Sequence, residues 1–179
     1  MERAGDAPEI VDLHKEAFGQ SGDAVSNLVL DLTSTTPPSN RLSLVAIADD
    51  RIVGHVLFTP GLLDASARLA DVQVLSPLAV IRTYRGRGIG SELVQRGVAI
   101  LGDRHVPLIF LEGDLDYYAR LGFVAAGPLG FRKPSLRIPD AAFQVLTLPA
   151  YAFWMTGTLV YSEAFWQQDL VGLREPADQ

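Results

Sequence analysis

Residues 76–91 read Ser76-Pro77-Leu78-Ala79-Val80-Ile81-Arg82-Thr83-Tyr84-Arg85-Gly86-Arg87-Gly88-Ile89-Gly90-Ser91. The stretch leaves an extended apolar run, passes through alternating arginines and glycines, and opens onto Ile89, Leu93, Val94, Val98 and Leu101, which recur at helical spacing. Gly102 suits the end of that helix. Such a strand–turn–helix junction has specific chemistry. The first turn of a helix has N–H groups without carbonyl partners and a partial positive charge. Glycines let an anion approach those N–H groups with no Cβ in the way, and arginine forks offer donors to the same oxygens. Pro77 cannot donate to a sheet ladder, so an edge, a bulge or a break is expected in the strand that runs from about Leu69 to Val80. The turn is not a Walker A loop, having no Gly-Lys-Ser/Thr ending. Gly86, Gly88 and Gly90 alternate, out of register with a dinucleotide fingerprint.

The charge of the chain sharpens this reading. Its 179 residues hold 15 Lys and Arg against 21 Asp and Glu, a net charge of −6. That balance argues against a nucleic-acid or anionic-membrane binder, which needs a basic face. Yet 13 of the 15 cations are arginine, and five fall between positions 82 and 104 against only Glu92 and Asp103. The junction is a positive island in an acidic protein. The length and a 48% apolar share predict one domain over residues 1–172 with a polar tail at 173–179. With no cysteine, disulfides, thiolate catalysis and Cys-ligated zinc are excluded. No apolar run reaches the ~18–20 residues of a transmembrane helix. Met1-Glu2-Arg3-Ala4 does not begin a signal peptide, so a cytoplasmic location is expected.

Outward from the junction, helices are expected at 7–18 and 22–33, and a loop from Ser34 to Asn40. Leu42–Ala48 and Arg51–Phe58 read as a hairpin around Asp49-Asp50. After the central helix come a buried strand at Val106–Leu111, a short helix at Asp114–Leu121 capped by Asp114, and a strand from Phe123. A proline-bearing loop at 127–140 and a strand at Ala142–Leu148 follow. This order predicts an α+β layered domain.

The 76–91 stretch closely resembles the acetyl-CoA-binding motif of the GNAT superfamily of N-acetyltransferases. A second block, Tyr117-Tyr118-Ala119-Arg120-Leu121-Gly122-Phe123, resembles that superfamily's later helix-and-strand motif, about 30 residues on, in the same order. The resemblance covers the core over 41–126, and residues 142–161 resemble a bacterial subgroup of small acetyltransferases. It implies a three-layer fold: a mixed, mostly antiparallel twisted sheet, splayed at the cofactor site, with helices on both faces. The superfamily usually opens with a strand, for which only Met1–Ala4 is left here.

The resemblance also implies roles. Leu78, Ala79 and Val80 would offer backbone groups to the pantetheine arm of acetyl-CoA, like an added strand. The backbone of Arg85, Gly86, Arg87, Gly88, Ile89, Gly90 and Ser91 would cradle the pyrophosphate. An N–H of Leu78 or Val80 would stabilise the thioester oxyanion. Tyr118 matches the superfamily's general-acid tyrosine, and Tyr117, one residue along, is expected to pack. Glu112 and Asp71 are the two candidates for a base, directly or through water. His55 and His105 read as isolated, and no metal site is expected. The aromatic run Tyr151–Met155 reads as core or dimer interface, with a wall of the acceptor pocket as the other reading. The implied activity is acetyl transfer to a primary amine by a monomer or homodimer. A non-catalytic acyl-CoA sensor on the same fold is the alternative.

Overall fold

Asp49 and Asp50 both adopt positive φ, 50° and 59°, giving a two-residue turn whose twist suits a hairpin. The turn joins β1 (Leu42–Ala48) to β2 (Arg51–Ala65). The expected hairpin stops at Phe58, but β2 continues to Ala65 because its second half has partners of its own. Residues 62–65 pair with β7 (Gly157–Val160) on the edge that β1 has left. The other edge of β2 pairs with β3 (Leu69–Val80). Pro60, which lacks an N–H, falls where neither β1 nor β7 pairs with β2. The structure, a computed structural model, describes residues 1–172; the tail expected at 173–179 lies outside the described residues.

The described strands run β1-β2-β3-β4-β6-β5, with β7 on β2. Here β4 is Leu108–Glu112, β5 Val124–Ala125 and β6 Phe143–Thr147. All pairings between these strands are antiparallel except β3 with β4. β4 is buried on both faces: Leu108 and Phe110 join one apolar cluster, Ile109 and Leu111 the other. The first cluster is closed by α1 (Ala7–Phe18), α2 (Gly22–Thr35) and α5 (Glu163–Gln167). The second is closed by α3 (Ile89–Asp103) and α4 (Leu115–Ala119). Helices therefore cover both faces of a mostly antiparallel mixed sheet, the expected α+β architecture. The opening strand of the superfamily is reduced to one bond, from Glu2 N–H to the Ser43 carbonyl at 3.1 Å.

The strand β3 changes character at Ser76-Pro77. Val56 pairs with Leu78 and Phe58 with Leu75, so Leu57 alone faces Ser76 and Pro77. Of the three outcomes open for Pro77, the structure takes the bulge. Upstream of it, β3 pairs with β4 only at Gln73↔Ile109 and Val74↔Phe110. Downstream, the two strands separate and the sheet is splayed.

Helix α3 runs past Gly102 to Asp103, so that glycine is not its terminator. The chain turns instead at His105, φ 60°, whose N–H returns to the Gly102 carbonyl at 2.9 Å while that of Val106 reaches Leu101 at 3.0 Å. The glycine that this helix does need is Gly97. A Cβ there would sit 2.5 Å from Phe58 Cζ, and Phe58 is fully buried. Gly97→Ala gains about 1 kcal/mol of helix propensity but forces a packed ring to move, at about 1–3 kcal/mol. A net loss of about 1 kcal/mol is expected, read as a lower urea midpoint; an unchanged or raised midpoint would show that the ring yields freely.

Candidate active site

The splay leaves backbone groups of β3 without strand partners. Ile81 N–H bonds the Val53 carbonyl on β2 at 2.9 Å. Strand alternation then turns Ala79 towards β2 as well, and the N–H groups of Leu78 and Val80 into the gap towards β4. The gap widens into a cavity of about 720 Å³ between β3 and the start of α3. Leu78, Ala79, Val80, Arg85, Gly86, Gly88, Ile89, Gly90 and Ser91 all line it. Arg87 alone of the expected set does not; its guanidinium bonds the Thr83 carbonyl at 3.1 Å and lies over the Tyr84 ring.

The turn is shaped to receive an anion. Gly86 and Gly88 have φ of +75° and +81°, with nothing within 4 Å of where a Cβ would be. The helix ladder begins with Glu92 N–H to the Gly88 carbonyl at 3.0 Å. Among the described residues no backbone acceptor closes on the N–H groups of Ile89, Gly90 and Ser91, the set that a phosphate would take. The Arg85 side chain is engaged elsewhere, donating to the carbonyls of Val80 and Ala17, each at 3.0 Å. It ties the splayed strand and α1 to the turn, while Arg120 brings a cation to the opposite wall.

A second cavity, about 490 Å³, lies across Leu78. Leu78 and Phe18 border both cavities. Glu112 and Tyr118 line the second. Glu112 ends β4, and its carboxylate is held on both oxygens: Tyr161 O–H donates to Oε1 at 2.9 Å and Gly172 N–H to Oε2 at 3.0 Å. Burial raises its pKa above the ordinary carboxylate value, against the two bonds and the charge of Arg137, which lower it. Burial, with the charge of Glu112 and the bond to it, raises the Tyr161 phenol well above its usual value.

Asp114 caps α4, accepting from Tyr117 N–H at 2.7 Å, and this sets the facing of the two tyrosines. Tyr118 packs against Gly113, where a Cβ would lie 2.5 Å from the ring. Burial, and secondarily Tyr117, pushes its phenol pKa upward. Tyr117 does more than pack: its hydroxyl lies 3.5 Å from Ser91 Oγ, on the wall of the first cavity. The rings meet edge to face at 4.9 Å, one serving each cavity.

Other candidates fall outside this arrangement. Asp71 is exposed near the start of β3 and lines neither cavity. Tyr151, Trp154 and Met155 pack against the core, Phe153 is 94% exposed, and none of them walls the second cavity. His55 is not isolated. Its Nδ1 lies 2.7 Å from His14 Nε2 and its Nε2 lies 2.9 Å from Ser43 Oγ, all three buried. His14 and His55 stand 41 positions apart, on a helix and a strand, so no local spacing announces the pair. Tyr161 and Gly172 lie on the far side of the proline loop, where no local pattern links them to Glu112.

The chain matches the model of the acetyltransferase (GNAT) family over residues 7–123. It is 34% identical to the uncharacterized N-acetyltransferase YhbS of Escherichia coli K12 over 164 residues, covering 89% of this chain and 93% of that protein. Identity to the uncharacterized N-acetyltransferase YjhQ of the same organism is 33% over 156 residues, covering 85% and 84%. The crystal structure of E. coli YhbS in complex with CoA superposes with a TM-score of 0.81 at 32% identity, covering 92% of this chain and 88% of that one. A GNAT family acetyltransferase from Brucella melitensis, solved with acetyl-CoA, gives 0.72 at 30% identity, covering 92% and 94%. Sequence and fold agree along nearly the whole described chain, and it belongs to the GNAT family of acetyltransferases.

Proposed function

We propose that residues 1–172 form one N-acetyltransferase domain that takes acetyl-CoA and passes its acetyl group to a primary amine by direct attack, with both partners bound at once. The carrying observation is that the two cavities meet at Leu78 on the splayed strand. A chain with no cysteine also offers no thiolate to carry the acetyl group between them. The relatives solved with CoA and acetyl-CoA support the choice of cofactor. Acetyl-CoA supplies an acetyl group activated as a thioester. The N–H groups at 86–91 hold its diphosphate, and the backbone of Leu78–Val80 receives its pantetheine arm.

The remaining chemistry falls to side chains in the second cavity. An ammonium of pKa ~10 is no nucleophile. Glu112 takes its proton; a carboxylate whose pKa burial has raised is a better acceptor than an exposed one. The N–H of Leu78 or Val80 donates to the carbonyl oxygen as charge builds on it. Tyr118 donates a hydrogen bond to the departing sulfur. With its pKa raised Tyr118 keeps its own proton; the second proton of the attacking nitrogen passes to the departing sulfur, so CoA leaves as the thiol, and the proton on Glu112 returns to water.

Tyr118→Phe is expected to lower kcat by about 10–50-fold with little change in KM for acetyl-CoA, and Glu112→Gln by about 50-fold. Tyr117→Phe, on the cofactor wall, should act on KM instead. Steady-state kinetics with thiol detection separates them. Intact turnover in Tyr118→Phe would remove that assignment. Tight CoA binding with no transfer to any amine would favour the sensor reading.

A further inference from the structure

The second cavity has an uneven chemistry that narrows what it can hold. Its outer walls are apolar: Phe18, Val25 and Leu28 from α1 and α2, Phe165 and Leu170 from the C-terminal segment. Its charged groups are Glu112 and Asp114, and among the described residues no lysine, arginine or histidine lines it. Arg137, the nearest cation by its effect on Glu112, is turned to Asp169 at 3.0 Å. From this we infer that the acceptor is a primary amine on an apolar body with no acidic group, its ammonium at the Glu112 end and its body against the aromatic and aliphatic wall. The inference rests on the second cavity being the acceptor site.

The alternatives fail on particular groups. A carboxylate beside the amine, as in a free amino acid, would lie among like charges with no cation to meet it. The many hydroxyls of an aminoglycoside would outnumber the polar partners there, Ser21, Ser76 and Asp114, and the rest would face phenylalanine, valine and leucine. The second ammonium of a diamine would have only Asp114 to meet, whose carboxylate already caps α4 by accepting from Tyr117 N–H, and its chain would cover little of the apolar wall. An alkyl or aryl body instead removes both its own surface and that wall from water. The volume, about 490 Å³, lies in the range of pockets that take small organic ligands. A free arylalkylamine and the first residue of a peptide with an apolar side chain present the same chemistry.

The test compares initial rates with acetyl-CoA and 2-phenylethylamine, phenylalanine, phenylalaninamide, putrescine, kanamycin and a short peptide beginning with phenylalanine. Thiol release is measured, with CoA binding followed by calorimetry. The expected kcat/KM for 2-phenylethylamine exceeds that for phenylalanine by about 30-fold or more. Phenylalaninamide should recover most of the difference, since it restores neutrality at the same size. The peptide's rate against that of the free amine tells which source the site prefers. Ser21, exposed on the cavity rim, supplies a variant that leaves the core alone. Ser21→Lys should cut the discrimination against phenylalanine by about tenfold. Equal or better use of phenylalanine, putrescine or kanamycin would overturn the inference and leave the acetyltransferase reading standing. CoA binding with no transfer to any of the amines would overturn both.

Discussion

Gly88→Glu should weaken CoA binding by about a thousandfold, roughly 4 kcal/mol, while the fold stands. Gly88 is the N-cap of α3 at φ +81°, and a Cβ there meets nothing within 4 Å. Placing an L residue in that backbone costs about 1–2 kcal/mol, against a total stability of about 5–15 kcal/mol. The carboxylate is another matter. It satisfies, from within the chain, the same helix-start N–H groups that the diphosphate needs, and repels the diphosphate as well. Calorimetry with CoA and thermal melts of the same samples separate the two effects. Gly88→Ala is the control: it carries the backbone strain without the charge and should lose about tenfold or less. If Gly88→Glu binds as the parent does, the anion site lies elsewhere.

The second large effect concerns acid. His14 and His55 share one hydrogen bond in full burial, and a proton on every nitrogen would aim N–H against N–H across 2.7 Å. Burial lowers the pKa of His14 from 6.5 to about 4, and burial with the charge of His14 lowers that of His55 too. Between those values the unfolded chain carries a proton that the native protein refuses. Stability is therefore complete above about pH 6.5 and is lost as pH falls towards about 4. For His14 alone the loss is about 3 kcal/mol, with His55 adding in the same direction. Glu112, whose pKa is raised, has the opposite slope through part of this window, so the comparison must hold it constant. Urea unfolding of the parent and of the His14→Leu/His55→Met double variant, from pH 7 to 4, does so. The parent should lose about 3 kcal/mol more than the variant; parallel curves would dismiss the pair as the source.

How much is legible in the sequence follows from how local each feature is. The α3 stripe, the Asp114 cap and the irregularity at Pro77 depend on residues within one or two turns of one another, and each is readable before folding. Two things are not. The first is where an arginine fork goes: Arg85 turns back to the Val80 and Ala17 carbonyls, a choice decided by where α1 ends in space. The second is anything that needs two distant segments, such as His14 with His55 or Glu112 with Tyr161 and Gly172. β7 and α5, of four and five residues, are too short for periodicity to separate from a loop. Their places are set by β2 and the core. Tyr117 packs as expected, and reaches a cavity as well for a related reason, since a five-residue helix turns each tyrosine towards one of the two cavities.

The bond from Gly172 to Glu112 spans 60 positions, and it orders the site in time as well as in space. Every residue of the first cavity, from Ala17 to Leu121, leaves the ribosome before Tyr161, Phe165, Leu170 and Gly172. A growing chain thus completes the first cavity before the second. The Glu112 carboxylate gains the second of its two fixed partners only once the chain has grown 60 positions past it.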